Sequence, residues 1–252
     1  MKNQINIEHK LIQPEKSISD FVYGFSMVQN IRNISDAVLV PNGRIDLFLV
    51  QEADKQFHIA LIGLETKPKT LAKNNHAAMF GIHFNPLAME YILQESIADI
   101  LDSGKSLPKD FWDFNTADMN DFDFFCRKAT QKIQSLLPKE IDERKCKLFE
   151  LIFESNGEIP VKELSEKVYW SARQINQYFN HQFGLSLKSY CNILRFQASL
   201  EHIKAGKLFP QLNYYDQSHF IKEIKRLSGV SPKELYKNPN SRFLQFLAIH
   251  SK

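Results

Sequence analysis

The sequence predicts an α+β chain of more than one domain, an all-β first part followed by an all-α second part, and three observations predict it. Up to about residue 100 the chain falls into short runs of β-formers divided by turn residues, whereas from about residue 118 apolar residues recur at helical spacing between capping signals. Charge is divided too: residues 171–252 hold 12 Lys+Arg against 4 Asp+Glu, net +8, and residues 1–170 hold 20 against 25, net −5. A basic end suits contact with phosphates, although a merely solvated basic face would have the same composition. At 252 residues, 43% hydrophobic and 24% charged, the chain is long enough for two ordinary cores.

In the first part, strands are expected over Phe21–Val28, Ala37–Val40, Ile45–Val50, Phe57–Leu64 and Ala78–Phe84. Their length and spacing predict a sandwich or barrel. Pro41-Asn42-Gly43 is a strong turn, and Arg44 and Asp46 share one face of the strand that follows, where a structural ion pair is the plainer expectation than contact with a polar ligand. His58, His76 and His83 are isolated and lack the His-x-His pair and later Glu and His of a metal site, so no metal and no cofactor is expected. His83 reads as a satisfied strand histidine.

Asp118–Leu137 follows, with Phe122, Phe125, Ala129, Ile133 and Leu136 on one helical face and Pro138 as its stop, and Ile141–Phe153 reads as a second helix. The first of these helices suits packing on the β part or a dimer contact equally well. Further on, Val161–Val168 carries Val161, Leu164 and Val168 inward, and Ser171-Ala172-Arg173-Gln174 is a capping box that opens another helix. Ile175, Phe179 and Phe183 form its core stripe, Arg173, Asn176, Gln177 and Asn180 lie on other faces, and Gly184 ends it. Helix, tight turn and helix is the arrangement of helix-turn-helix readers.

The construction recurs. Asp216 caps a helix whose Phe220, Ile224 and Leu227 face inward and whose Ser218, His219, Lys222, Lys225 and Arg226 do not. Gly229 suits the left-handed position beyond its end, and Ser231-Pro232-Lys233-Glu234 opens one more helix with Pro at its first position.

With Tyr215-Asp216-Gln217-Ser218-His219-Phe220 followed by Gly229 and Ser231-Pro232, residues from about 145 to 238 resemble the DNA-binding domain of AraC/XylS-type transcription regulators. That resemblance implies two helix-turn-helix units joined by a long helix, here Ser186–Ile203, with Tyr190, Leu194, Ala198 and Ile203 inward and Arg195 and Ala198 at the family's Arg and Ala. It also implies base-facing roles for Arg173, Asn176 and Gln177 in the first unit, flanked by Ser171 and Asn180, and for Ser218, His219 and Lys222 in the second, beside Gln217. Arg and Lys donate to guanine, Asn and Gln pair with adenine, and Ser or His bonds to bases or phosphate, while Lys225 and Arg226 fit phosphates. One departure stands out: only Leu208-Phe209-Pro210-Gln211-Leu212-Asn213 is left for the first helix of the second unit, and Pro210 interrupts it, so a single turn is expected.

Val40-Pro41-Asn42-Gly43-Arg44-Ile45-Asp46-Leu47 and Phe80-Gly81-Ile82-His83-Phe84-Asn85-Pro86 resemble a small cupin-like domain found ahead of such readers, whose ligand is generally undefined. The resemblance implies a sensor of a small-molecule effector. The expected organisation is residues 1–115 as cupin-like β sensor, 116–144 as helical linker or homodimer helix, 145–240 as double helix-turn-helix, and 241–252 as an apolar tail that docks on another surface.

No apolar run reaches membrane-span length, and Met1–Asn6 lacks the apolar core of a signal peptide, so a cytoplasmic, nucleoid-associated chain is expected. Cys126, Cys146 and Cys191 are scattered and suit buried thiols better than disulfides. The reading is a DNA-binding regulator without catalysis, its partners double-stranded DNA, an effector and a second copy of the chain. Its rivals are a cupin-like metal-dependent enzyme fused to a DNA tether and an interaction adaptor with a degenerate second reader.

Overall fold

The computed structural model describes residues 8–29, 38–70, 76–238 and 243. The β part contains β1 (Glu8–Ile12), β2 (Val22–Gln29), β3 (Val38–Leu39), β4 (Ile45–Glu52), β5 (Phe57–Ile62), β6 (Lys69–Thr70), β7 (His76–Phe84) and β8 (Gly104–Leu107), with the short helix α1 (Leu87–Tyr91) before β8. Then come α2 (Phe122–Ser135), α3 (Glu143–Glu154), α4 (Val161–Lys167), α5 (Ala172–Phe183), α6 (Leu187–Lys204), α7 (Gln217–Ser228) and α8 (Pro232–Lys237). The expected fold class, β first and helical second, is the one observed. Every predicted strand and helix is present except the single turn expected over Leu208–Asn213, and Ala37 lies outside the described residues. β1, β6, β8 and α1 were not expected.

Six strands form one antiparallel sheet in the order β1-β2-β7-β4-β5-β8, and β3 pairs with β6. Alternation decides the burial: Ile45, Leu47 and Leu49 of β4 and Phe80, Ile82 and Phe84 of β7 are buried on one face. Against that face packs α2, whose Phe122 and Phe125 rings lie 5.2 and 5.4 Å from Phe80. Packing on the sheet is thus the role its apolar face fulfils, and Phe124 is left exposed on the other side.

The helical part centres on α6, which has two buried sides. Tyr190, Leu194 and Ile203 of the expected stripe are buried, and so are Ile193, Phe196 and Leu200 outside it. Ala198, expected inward, is only half-buried, while Tyr190 and Leu194 of the same stripe pack toward the Gly43 turn of the β part. There the Tyr190 hydroxyl donates to the Gly43 carbonyl at 3.0 Å, and the Gln197 amide donates to the Pro41 carbonyl. Gly43 has φ 72°, and a Cβ on it would come within 2.9 Å of Leu194, so the turn read as Pro41-Asn42-Gly43 is also the point where the sheet meets the helix.

A second seam joins α5 to the loop before β8. Ile97 N–H donates to the Gln182 carbonyl at 2.9 Å, the Gln182 side chain returns a bond to the Glu95 carbonyl at 2.6 Å, and Ser96 Oγ donates to the His181 carbonyl at 2.8 Å. Of the tail, Phe243 alone is described. It is 2% exposed and bridges to Val38, so at that residue the tail docks on the β part.

Candidate DNA-reading surface

Local chemistry fixes both reader helices. At α5, Ser171 Oγ accepts from Gln174 N–H at 3.3 Å while Gln174 Oε1 accepts from Ser171 N–H at 3.1 Å, and Gly184 closes the helix with φ 75°. At α7, Asp216 Oδ1 accepts from His219 N–H at 2.7 Å, and Gly229 closes with φ 80°. Ile175, Phe179 and Phe183 of α5 and Phe220, Ile224 and Leu227 of α7 are all buried, so the polar residues between them face out.

The eleven sequence-predicted residues divide into two groups. Arg173, Gln177, Ser218, Lys222 and Lys225 are exposed and make no ion pair or side-chain hydrogen bond among the described residues. The other six are engaged within the fold. Ser171 is the cap already described. Asn176 and Asn180 donate to the Ala172 and Asn176 carbonyls, both at 2.9 Å. Gln217 donates to the Leu208 carbonyl at 3.0 Å, and the half-buried His219 ring accepts from Tyr215 N–H at 3.3 Å and lies 5.8 Å from the Tyr214 ring. Arg226 is held by Glu223 through Nε at 3.2 Å and a terminal nitrogen at 2.8 Å. Burial opposes ionisation of Glu223, but the Arg226 hydrogen bond and charge outweigh it and hold its carboxyl below the usual range.

The support of α7 differs from expectation. The sequence leaves room for a single helical turn over Leu208–Asn213, yet no helix lies between α6 and α7. Pro210 removes a donor there, and side chains take over from backbone bonds. Tyr214 Oη and Ser199 Oγ share a hydrogen bond at 3.0 Å, the Tyr214 ring packs 5.1 Å from Phe220, and the Glu158 carboxylate accepts from Asn213 N–H. Between the two units lies a cleft of about 270 Å³ lined by Glu158, Lys188, Asn192, Arg195 and His219.

Two features of the reader surface escaped the sequence reading. Tyr169 and Tyr215 are 90% and 92% exposed, each just ahead of a reader helix, and Tyr169 holds φ 51°. A tyrosine in a turn ahead of a helix cap gives no sign in the sequence of which way it points.

On the β part, the expected Arg44–Asp46 ion pair does not form. Asp46 sits directly opposite His83 in the β4–β7 register and bonds its Nδ1 at 2.7 Å, whereas Arg44 donates to Asn85 Oδ1 at 2.9 Å with its guanidinium over the Tyr23 and Phe153 rings. Cross-strand neighbours are closer than residues i and i+2 on one strand. His83 Nε2 also bonds Ser26 Oγ at 2.8 Å, completing a serine–histidine–aspartate relay. The three side chains, on the adjacent interior strands β2, β7 and β4, satisfy one another's hydrogen bonds around a half-buried histidine.

Nearby, burial above all, with Asp46 and Asp102 adding to it, pushes the Glu65 carboxyl up to about 7. Among the described residues no group of three His, Cys, Asp or Glu is arranged to hold a metal. The three thiols are free, and burial raises those of Cys126 and Cys191 to about 12. Where the sheet meets α3, a cleft of about 460 Å³ is lined by Asp20, Asn85, Leu87, Phe149 and Phe153. No described helix is long and apolar enough to cross a membrane.

Residues 10–105 match the family model described as "Domain of unknown function (DUF6597)", which covers the sheet and leaves the helical part outside. No curated protein matches the chain. Similar solved structures include ToxT from Vibrio cholerae O395, at 11% identity over 93% of this chain and 98% of that one with a TM-score of 0.47. A second ToxT structure from Vibrio cholerae aligns at 11% identity over 91% and 97% with a TM-score of 0.45. The unsaturated fatty acid bound ToxT from strain SCE256 aligns at 10% identity over 92% and 94% with a TM-score of 0.41. These likenesses transfer no residue role to this chain.

Proposed function

We propose that this chain is a one-component transcription regulator of the AraC/XylS type. Its helical part, about residues 145–240, binds double-stranded DNA by setting α5 and α7 into consecutive major-groove segments about one helical turn apart. The observation that carries this reading is the pair of capped helices on either side of α6, each with a buried apolar stripe and an outward polar face that includes unengaged Arg, Lys, Gln or Ser. The net +8 of residues 171–252 supports it.

Arg173, Gln177, Ser218 and Lys222 are the base-edge candidates, and Lys225 a phosphate contact. Ser171, Asn176, Asn180, Gln217, His219 and Arg226 join them by exchanging an internal bond for one to DNA. The β part, residues 1–115, is a cytoplasmic sensor of a small-molecule effector, and the exposed side of α2 is the face available for a homodimer. The missing helix ahead of α7 favours a second reading, an adaptor whose second unit no longer reads bases.

Selection of bound sites from random duplex DNA by the full-length protein, repeated with Arg173→Ala and Lys222→Ala, separates the two. A two-part motif that loses one part in each variant supports two readers. A single motif lost only with Arg173→Ala supports one reader. No enrichment, with or without a screen of effectors, sinks the proposal.

A further inference from the structure

We propose that Tyr169 and Tyr215 seat the two reader helices on DNA, each phenol donating a hydrogen bond to a backbone oxygen of the strand that bounds the groove. The proposal rests on the DNA-binding reading above. Exposed apolar residues are ordinary when scattered, but each of these two stands in the short segment just ahead of a reader-helix cap. Tyr169 stands two residues before the cap Ser171, and Tyr215 one residue before the cap Asp216. At 90% and 92% exposure, neither ring gains from packing.

Each outward tyrosine adjoins an inward aromatic ring that fixes the local backbone. Trp170 packs 5.3 Å from Tyr178 with the Arg144 guanidinium 5.6 Å above it, and Tyr214 is bonded to Ser199 and packed on Phe220. With one ring anchored, its neighbour is aimed away from the core. Tyr169 is moreover held at φ 51°, in the left-handed region where a bulky side chain is strained and glycine is not. A strained, solvent-facing tyrosine in the turn of a helix-turn-helix has no structural return among the described residues.

Bound DNA provides one. The N-terminal residues of a reader helix approach base edges, so a residue just ahead of that helix lies beside the phosphates at the wall of a groove about 12 Å wide. Tyrosine is among the side chains that donate to phosphate and sugar oxygens, and its two side-chain torsions make it inexpensive to order.

The test uses the full-length protein with Tyr169→Phe, Tyr169→Gly and Tyr215→Phe. It reads affinity for a duplex selected by the unaltered protein, the slope of affinity with salt, and Tm. Each Phe variant is expected to bind about tenfold more weakly, with an unchanged Tm, an unchanged selected sequence and an unchanged salt slope, since a neutral phenol releases no counterion. Tyr169→Gly is expected to bind at least as weakly as Tyr169→Phe with a Tm equal to or about 2–4 °C above that of the unaltered protein.

Affinity within twofold of the unaltered protein in both Phe variants would overturn the proposal, as would affinity and Tm falling together or a changed base preference. If the unaltered protein selects no sequence, the regulator reading fails separately. The same variants on a random duplex at low salt then decide the tyrosines, because backbone contacts act on any sequence.

Discussion

The two reader units reach the same end by different means. In the first, α4 and the turn at Tyr169 hold α5 over an aromatic core, with Phe149 lying 5.7 Å from Phe179 and 6.1 Å from Phe183. In the second, no helix lies between α6 and α7, and the Tyr214–Ser199 bond, the Gln217–Leu208 bond and Glu158 on Asn213 help locate α7. Close packing fixes position through many small contacts, whereas each hydrogen bond contributes only about 0.5–1.5 kcal/mol net. A reader can therefore lose its supporting helix and keep its cap, stripe and outward face, at the expense of rigidity.

The largest expected effect lies in the cores. Phe179→Ala should cost about 5 kcal/mol and Phe220→Ala about 3, both read from urea unfolding of the full chain. Phe179 has Phe149, Tyr178, Phe183 and Tyr190 rings around it and leaves a cavity that cannot collapse, whereas the irregular segment over Phe220 can settle. Equal costs would break the comparison.

The C-terminal glycines sharpen it. Gly184 and Gly229 end equivalent helices at φ 75° and 80°, but a Cβ on Gly184 would meet the Ala98 carbonyl oxygen at 2.8 Å, while one on Gly229 would meet only a Pro68 side-chain carbon at 3.4 Å. Left-handed strain alone costs about 1–2 kcal/mol. Gly229→Ala should stay near about 1 kcal/mol, and Gly184→Ala should reach about 3 because backbone of the β part must also move. The same substitution then reports which unit the β part grips.

Tyr214→Phe should remove about 1 kcal/mol and, more tellingly, speed hydrogen exchange in α7 while leaving α5 unchanged. Uniform exchange across both helices would mean that the Tyr214–Ser199 bond does not set the local stability of α7.

What could be read from the sequence is what short-range chemistry decides. Ser171, Asp216 and Ser231 cap their helices and Gly184 and Gly229 close them because those interactions span only a few residues. β1, β6 and β8 escaped because Glu8–Ile12, Lys69–Thr70 and Gly104–Leu107 are short or polar, and an edge strand need not alternate. Asp46 was assigned the wrong partner because register, not strand spacing, puts His83 opposite it. At the reader surface the sequence identified the faces but not the internal bonds. That Asn176, Asn180, Gln217 and Arg226 spend their side chains within the fold depends on rotamers that no pattern encodes.

The smallest expected effect on stability concerns a difference in charge. α5 contains no acidic residue, whereas α7 carries Glu223 clamped to Arg226. Glu223→Gln removes an ion pair worth under about 1 kcal/mol. Because the folded-state carboxyl lies below its ordinary value, the contribution is present at neutral pH and is lost as pH falls through the folded pKa, so the variant should lack that acidic loss. Its effect on DNA should run the other way. Without Glu223 the Arg226 guanidinium is free for a phosphate and one like charge leaves the binding face, so affinity should rise about three- to tenfold and the salt slope should steepen by about one. Weaker binding would mean that Glu223 orients Arg226 toward DNA, and that the second unit owes its phosphate contact to the clamp.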